Sequence, residues 1–170
     1  MPDGAIWPGG VWPQAREVAE MYGQWRGPLL RYLGALGLPG ADAEDVAQEV
    51  FLALCHHLRR EGGRENLRGW VFRVGHNLAL RRREQRGRTV EEVEVADPAP
   101  GPEELALLSC RRERLQAVVA ALPERDRWCL LLRAEGLRHR EIAEVVEISL
   151  GAVAASLGRA VGKLAAVEGR

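Results

Sequence analysis

Apolar residues recur at spacings of three and four along most of this chain and do not alternate over any useful length. The pattern therefore predicts helices throughout and no sheet. It is sharpest over 42–58, where Val46, Val50, Phe51, Leu54 and Leu58 share one stripe while Asp45, Gln48 and Glu49 form a polar ridge off it. Pro39-Gly40 stops the preceding element, and Asp42 is placed to cap the new helix by accepting its free amide hydrogens. Glu44 and Asp45 lie where the helix dipole favours negative charge. The stripe is a core face. The ridge is either a solvated face or a docking surface.

Upstream, residues 12–36 place Val18, Met21, Tyr22 and Trp25 on one face, and Leu29, Leu30, Leu33 and Leu36 likewise. Gly27-Pro28 is expected to break or kink that helix. Downstream, 59–65 reads as a polar loop without an aromatic residue. Asn66 is placed to cap a helix running to about Arg86, with Trp70, Val71, Val74 and Leu78 as its apolar face. Gly69 and Gly75 weaken this helix unless something packs closely there.

Residues 1–11 read as a loose arm, and 89–102, with Pro98, Pro100 and Pro102, as a flexible acidic linker. The expected organisation is thus all-α, with two small helical domains at 12–88 and 103–170. In the second, a helix over 103–122 precedes one opened by Pro123, lined by Trp128, Leu131 and Leu132 and ended by Gly136. Two short helices follow, about 138–146 and 149–166, with only a tight turn between them. Ile142 and Val146 face inward, Ala143 is small at the point of close approach, and Ile148 plugs the turn. Ser149 caps the second helix, and Val153 and Leu157 return to the core. A helix-turn-helix needs such a rigid pair to lay its second member in a major groove, although an ordinary helical hairpin shows the same spacing.

Charge changes this picture more than length does. The 170 residues are neutral overall. Residues 64–88 nevertheless carry eight Arg against Glu65 and Glu84, and residues 89–104 carry six acids and no base. That layout points to a polyanion-binding surface beside a solvated linker. Cys55, Cys110 and Cys129 show no C-x-x-C spacing and are odd in number, which fits unpaired thiols in a reducing compartment. No apolar run is long enough to span a bilayer and no secretory signal is present, so the expected location is cytoplasmic. His56, His57, His76 and His139 share no metal-ligand spacing, no glycine-rich phosphate loop follows a strand, and no Ser or Cys has a base partner. No metal, no cofactor and no enzymatic activity are expected.

Two blocks carry a resemblance. Asp42-Ala43-Glu44-Asp45-Val46-Ala47-Gln48-Glu49-Val50-Phe51, followed by Trp70-Val71-Phe72-Arg73-Val74-Gly75-His76-Asn77-Leu78-Ala79, resembles region 2 of bacterial sigma factors. Leu122-Pro123-Glu124-Arg125-Asp126-Arg127, with Gly136-Leu137 and Glu141-Ile142-Ala143-Glu144, resembles their region 4. Size, layout and acidic linker look like the extracytoplasmic-function (ECF) group.

The resemblance implies that Asp45, Gln48 and Glu49 dock on the basic coiled coil of the beta-prime subunit of core RNA polymerase. It implies that the loop 59–65 and the next helix hold the −10 element as melted strand, with Asn77 at a pocket for a flipped base. Arg73, Arg81, Arg82, Arg83 and Arg86 would then serve that strand, largely through phosphates. Region 4 would meet the beta flap and follow the −35 duplex through Arg138, Arg140, Ser149, Ala152, Ser156, Arg159 and Lys163. An anti-sigma factor is a further partner the resemblance allows. The second helix of the pair carries Ala154, Ala155 and Ser156 where relatives commonly hold basic or polar groups, so −35 base reading is expected to be weak. The competing readings are a stand-alone helix-turn-helix regulator and a polymerase-binding adaptor with weakened −35 recognition.

Overall fold

The structure is a computed structural model that describes residues 13–60, 62–87 and 104–168. Its order is α1 (Pro13–Ala35), α2 (Gly40–Arg59), α3 (Leu67–Arg86), α4 (Glu104–Ala120), α5 (Glu124–Ala134), α6 (His139–Val146) and α7 (Leu150–Glu168), with no strand among the described residues. The arm 1–11 and the linker 89–102 lie outside those residues.

α1 and α2 pack as an antiparallel pair turned by Gly37, whose φ of 94° suits a residue without a Cβ. The expected break at Gly27-Pro28 is absent, since α1 runs on through Pro28. Leu29, Tyr32, Leu33 and Leu36 are buried beyond the proline, and their packing offsets the one hydrogen bond proline removes. Tyr22 meets Phe51 edge-on, with ring centroids 4.9 Å apart, which seats α1 on α2.

α2 begins two residues before Asp42. Pro39 is its N-cap, and Asp42 sits within the first turn, where it pairs with Arg86 at 3.0 Å. The predicted stripe is buried as drawn, with Ala43 and Ala47 added. On α3 the buried face is Leu67, Val71, Phe72, Gly75, His76 and Ala79, while Trp70, Val74 and Leu78 are half-buried. Gly75 is small for a reason: a Cβ there would stand 2.9 Å from Leu29 Cδ1 and 3.6 Å from Val50 Cγ2. Asn66 caps α3 as expected, accepting from the Gly69 amide at 3.1 Å.

In the second group, Pro123 is the N-cap of α5, and Gly136, at φ 86°, follows its C-terminal end. Ile142 and Val145 are the buried residues of α6, with Val146 half-buried. The α6–α7 turn passes through Glu147 at φ 56°, a left-handed conformation that costs a side chain about 1–2 kcal/mol. Ser149 Oγ caps α7 by accepting from the Ala152 amide at 3.1 Å. The two groups are not apart. α6 packs on α3, α5 touches α1, and buried residues of both join one apolar cluster.

Candidate polymerase-docking ridge and nucleic-acid interface

The ridge of α2 stands as the spacing implies. Asp45, Gln48 and Glu49 are all exposed, directly opposite Val46, Ala47, Val50 and Leu54. One residue extends it. Leu52 lies one turn beyond Gln48 and Glu49 and is 63 % exposed, a large apolar side chain in the middle of a polar surface. It falls off the core stripe, and that signal alone could have flagged it in the sequence. Asp45 is also 3.8 Å from Arg82 of α3.

The arginine block of α3 divides by direction. Arg73, Asn77 and Arg81 are exposed at one-turn spacing and form a straight row. Arg82 and Arg86 turn toward α2, where Asp42 lies 3.6 Å and 3.0 Å away. Arg83 points the other way and pairs with Glu124 of α5 at 2.8 Å. Only the row is open without rearrangement, and phosphates must compete with carboxylates for the other three.

Behind the row lies a buried polar contact that the sequence did not disclose. The Tyr32 hydroxyl and His76 Nδ1 share a 2.8 Å hydrogen bond, and Trp128 of α5 closes on His76 edge-first, with centroids 4.8 Å apart. Burial lowers the His76 pKa to about 4, with Arg83 adding to the effect, so the ring is neutral at neutral pH. Burial likewise raises that of Tyr32, which stays protonated.

In the α6–α7 pair the candidates separate further. Arg138 and Arg140 are exposed at the start of α6, where Glu141 accepts from the Arg138 amide at 2.6 Å. Lys163 is exposed far along α7, and Ala152 is half-buried. Ser149 is occupied as a cap. Ser156 is not on the outer face at all. It is completely buried, because Val153, Ser156, Leu157 and Ala160 fall on one helical stripe. Arg159 is drawn onto α5: its Nε and a terminal nitrogen donate to the two carboxylate oxygens of Asp126 at 2.9 and 2.7 Å, and the same terminal nitrogen to Ser156 Oγ at 3.1 Å. Those bonds hold the buried Asp126 below the usual carboxylate range. What α7 shows to solvent is Leu150, Gly151, Ala154, Ala155, Gly158, Val161, Gly162, Ala165 and Ala166 beside its two cations. No group of His, Cys, Asp or Glu among the described residues is arranged to hold a metal. No single helix among them is long and apolar enough to cross a membrane.

The molecule thus presents an acidic ridge on α2, an Arg-Asn-Arg row on α3 and the α6–α7 helix pair, whose first member packs on α3. The chain matches the family profile for Sigma-70 region 2 over residues 21–89 and that for Sigma-70 region 4 over residues 112–164. It is 38 % identical over 135 residues to the ECF RNA polymerase sigma factor ShbA of Streptomyces griseus, covering 73 % of this chain and 70 % of that one. It is 32 % identical over 163 residues to SigD of Mycobacterium tuberculosis, covering 88 % and 74 %. The fold is shared with CnrH solved in complex with the cytosolic domain of CnrY, at TM-score 0.66 and 24 % identity, covering 91 % of this chain and 89 % of that one. It is shared too with RpoE of Bartonella quintana solved with the anti-sigma factor NepR, at TM-score 0.68 and 18 % identity, covering 88 % and 94 %. The chain belongs to the sigma-70 family of RNA polymerase sigma factors, in the ECF group.

Proposed function

We propose that this chain binds core RNA polymerase through α2 and directs it to promoters by holding the −10 strand on α3, acting as a non-catalytic cytoplasmic subunit of initiation. The observation that carries the reading is the pairing of two exposed surfaces on adjacent packed helices, the Asp45–Gln48–Glu49 ridge and the Arg73–Asn77–Arg81 row. The ridge is stiffened from behind by the core, so its carboxylates meet the basic beta-prime coiled coil with little ordering cost, and Leu52 supplies an apolar centre that polar contacts alone lack.

On α3 the row lies where a single strand can run along the helix. Extruding a base costs a few kcal/mol. Asn77 has the donors and acceptor to meet a base edge, and Arg73 and Arg81 flank it with phosphate-binding charge. Arg82, Arg83 and Arg86 join once phosphates displace their carboxylate partners. The second half meets the beta flap and lies along the −35 duplex, with Arg138, Arg140 and Lys163 touching backbone. The complexes of CnrH with CnrY and of RpoE with NepR make a protein that sequesters this chain from polymerase a reasonable partner class.

A folded Glu49→Arg variant should lose core polymerase in a pull-down, because it sets like charge against the coiled coil. Asn77→Ala should retain core but open a promoter poorly in a permanganate footprint. Normal core retention by the first would refute the docking surface, and normal opening by the second would move the base pocket elsewhere. A second reading, an adaptor that binds polymerase but does not read −35, is favoured by the Asp126–Arg159 clamp and the burial of Ser156.

A further inference from the structure

The loop between α2 and α3 has no aromatic residue of its own, yet an aromatic ring packs against it from α2. His57, in the last turn of α2, stacks on Trp70 in the first turn of α3, with ring centroids 4.9 Å apart and planes inclined by 27°. A Cβ on Gly62 would stand 2.4, 2.5 and 2.6 Å from three atoms of the same imidazole. Such similar distances to three ring atoms put Gly62 over the face of the ring and not at its edge. The imidazole is therefore packed by both the indole of α3 and the backbone of the loop. Its Nε2 lies 2.9 Å from the Gly63 carbonyl oxygen, and because a carbonyl only accepts, Nε2 carries the hydrogen.

Two adjacent glycines, left to themselves, have more backbone freedom than any other pair of residues. Here one side chain fixes both, Gly62 by packing and Gly63 by a hydrogen bond. Trp70 is itself packed against the apolar core, so the anchor is stiff. Arg64 pairs with Glu17 of α1 at 2.7 Å and holds the next residue of the loop. The place of this anchor gives it a use. Trp70 precedes Arg73 by one turn of α3, and Arg73, Asn77 and Arg81 form the exposed row. The fixed glycines thus stand at the head of that row.

We propose that His57 is a positioning residue for −10 recognition: it holds Gly62 and Gly63 in one conformation at the head of the Arg73–Asn77–Arg81 row and so sets how strictly the flipped base is selected. The inference rests on the reading that this loop and α3 hold the −10 strand. A fixed backbone leaves a wrong base with unpaired polar edges, whereas a loose one re-forms around it. Loss of the anchor therefore lowers discrimination before it lowers binding.

The test is transcription by the reconstituted holoenzyme on a template pool randomised across the −10 element, with the transcripts sequenced. The reading is the ratio of output from the preferred base at the flipped position to output from the other three. Alanine is the better helix former, so His57→Ala keeps the end of α2, and it retains core polymerase in a pull-down because the docking ridge is untouched. Its ratio falls about threefold or more, the span of one lost hydrogen bond or aromatic contact. His57→Gln, which returns a donor to Gly63 without the ring, recovers part of the ratio. Gly62→Ala drives a methyl group into the ring and lowers the ratio by itself, which keeps the test alive should His57→Ala fold poorly. In the His57→Ala background the same change has no further effect. A ratio unchanged by His57→Ala, output lowered equally for every base, or a His57→Gln variant no better than alanine overturns the positioning role. Losses from His57→Ala and Gly62→Ala that simply add overturn the contact as its basis. Asn77→Ala separates these outcomes from failure of the underlying reading. If it lowers the ratio and His57→Ala does not, the inference alone falls. If neither lowers it, the −10 strand lies elsewhere and both fall.

Discussion

His76 is the residue on which both halves close, and its chemistry sets a pH window. Tyr32 holds one ring nitrogen and Trp128 covers the ring, so the folded chain resists protonating it. Its folded pKa of about 4 lies below its ordinary value of 6.5. Above about pH 6.5 the ring is neutral folded or unfolded and costs nothing. As pH falls toward 4 the unfolded chain takes up a proton that the folded chain refuses, and stability drains away. At about 1.4 kcal/mol per unit the loss approaches 3 kcal/mol. Urea unfolding of wild type and His76→Gln across that range should show wild type losing about that much relative to the variant, with most of the loss between pH 6.5 and 4. A constant difference between the two would mean that His76 titrates freely.

At the scale of elements, α2 was legible because its whole logic is local. A 3.6-residue period places Val46, Val50, Leu54 and Leu58 in the core and, by subtraction, puts Asp45, Gln48 and Glu49 on the surface. Asn66, Ser149 and Gly136 were legible as helix punctuation for the same reason, since a cap acts within three residues of itself. α3 was misread in part because its burial is set from outside: Phe72 and His76 are inside because α1 and α5 close over them. The pairing of Arg159 was not legible because its partner, Asp126, lies 33 residues away.

Glu147 makes the α6–α7 turn in a left-handed conformation, at φ 56°, where glycine would bend more easily. Glycine there removes the Cβ strain but returns part of the gain through a more flexible unfolded chain. Glu147→Gly should therefore stabilise the α6–α7 pair by about 0.5–1 kcal/mol, seen as a rise in thermal midpoint with unchanged helicity. A lower midpoint would mean that the Glu147 side chain contributes a contact outweighing the strain.

At the scale of the whole molecule, the two halves differ in what they can discriminate, and promoter choice should follow that difference. A good bidentate contact to a base edge is worth about 1–3 kcal/mol. The outer face of α7 offers Gly151, Ala154, Ala155 and Gly158 in place of such side chains, and its one mid-helix arginine is bound to Asp126. Arg138, Arg140 and Lys163 remain, and each neutralised phosphate contributes about 0.9 to the slope of log affinity against log salt, so this half should bind duplex with a slope of roughly three and little preference. Tethering through polymerase keeps such weak contacts occupied by raising the local DNA concentration. On the proposed −10 side, Asn77 stands between two exposed arginines on a rigid helix, a set that would suit reading a flipped base. In transcription by the reconstituted holoenzyme, scrambling the −35 bases of a responsive promoter should therefore lower output only a few-fold. A single change at the flipped −10 base should lower it tenfold or more, the equivalent of about 1.4 kcal/mol. Comparable losses from both would show that α7 reads bases after all, and the simplest structural route is release of Arg159 from Asp126 when the duplex arrives. Asp126→Asn in the same assay separates the cases. It should sharpen −35 dependence if freed Arg159 reaches the groove, and leave it flat if the small exposed residues of α7 are what limit reading.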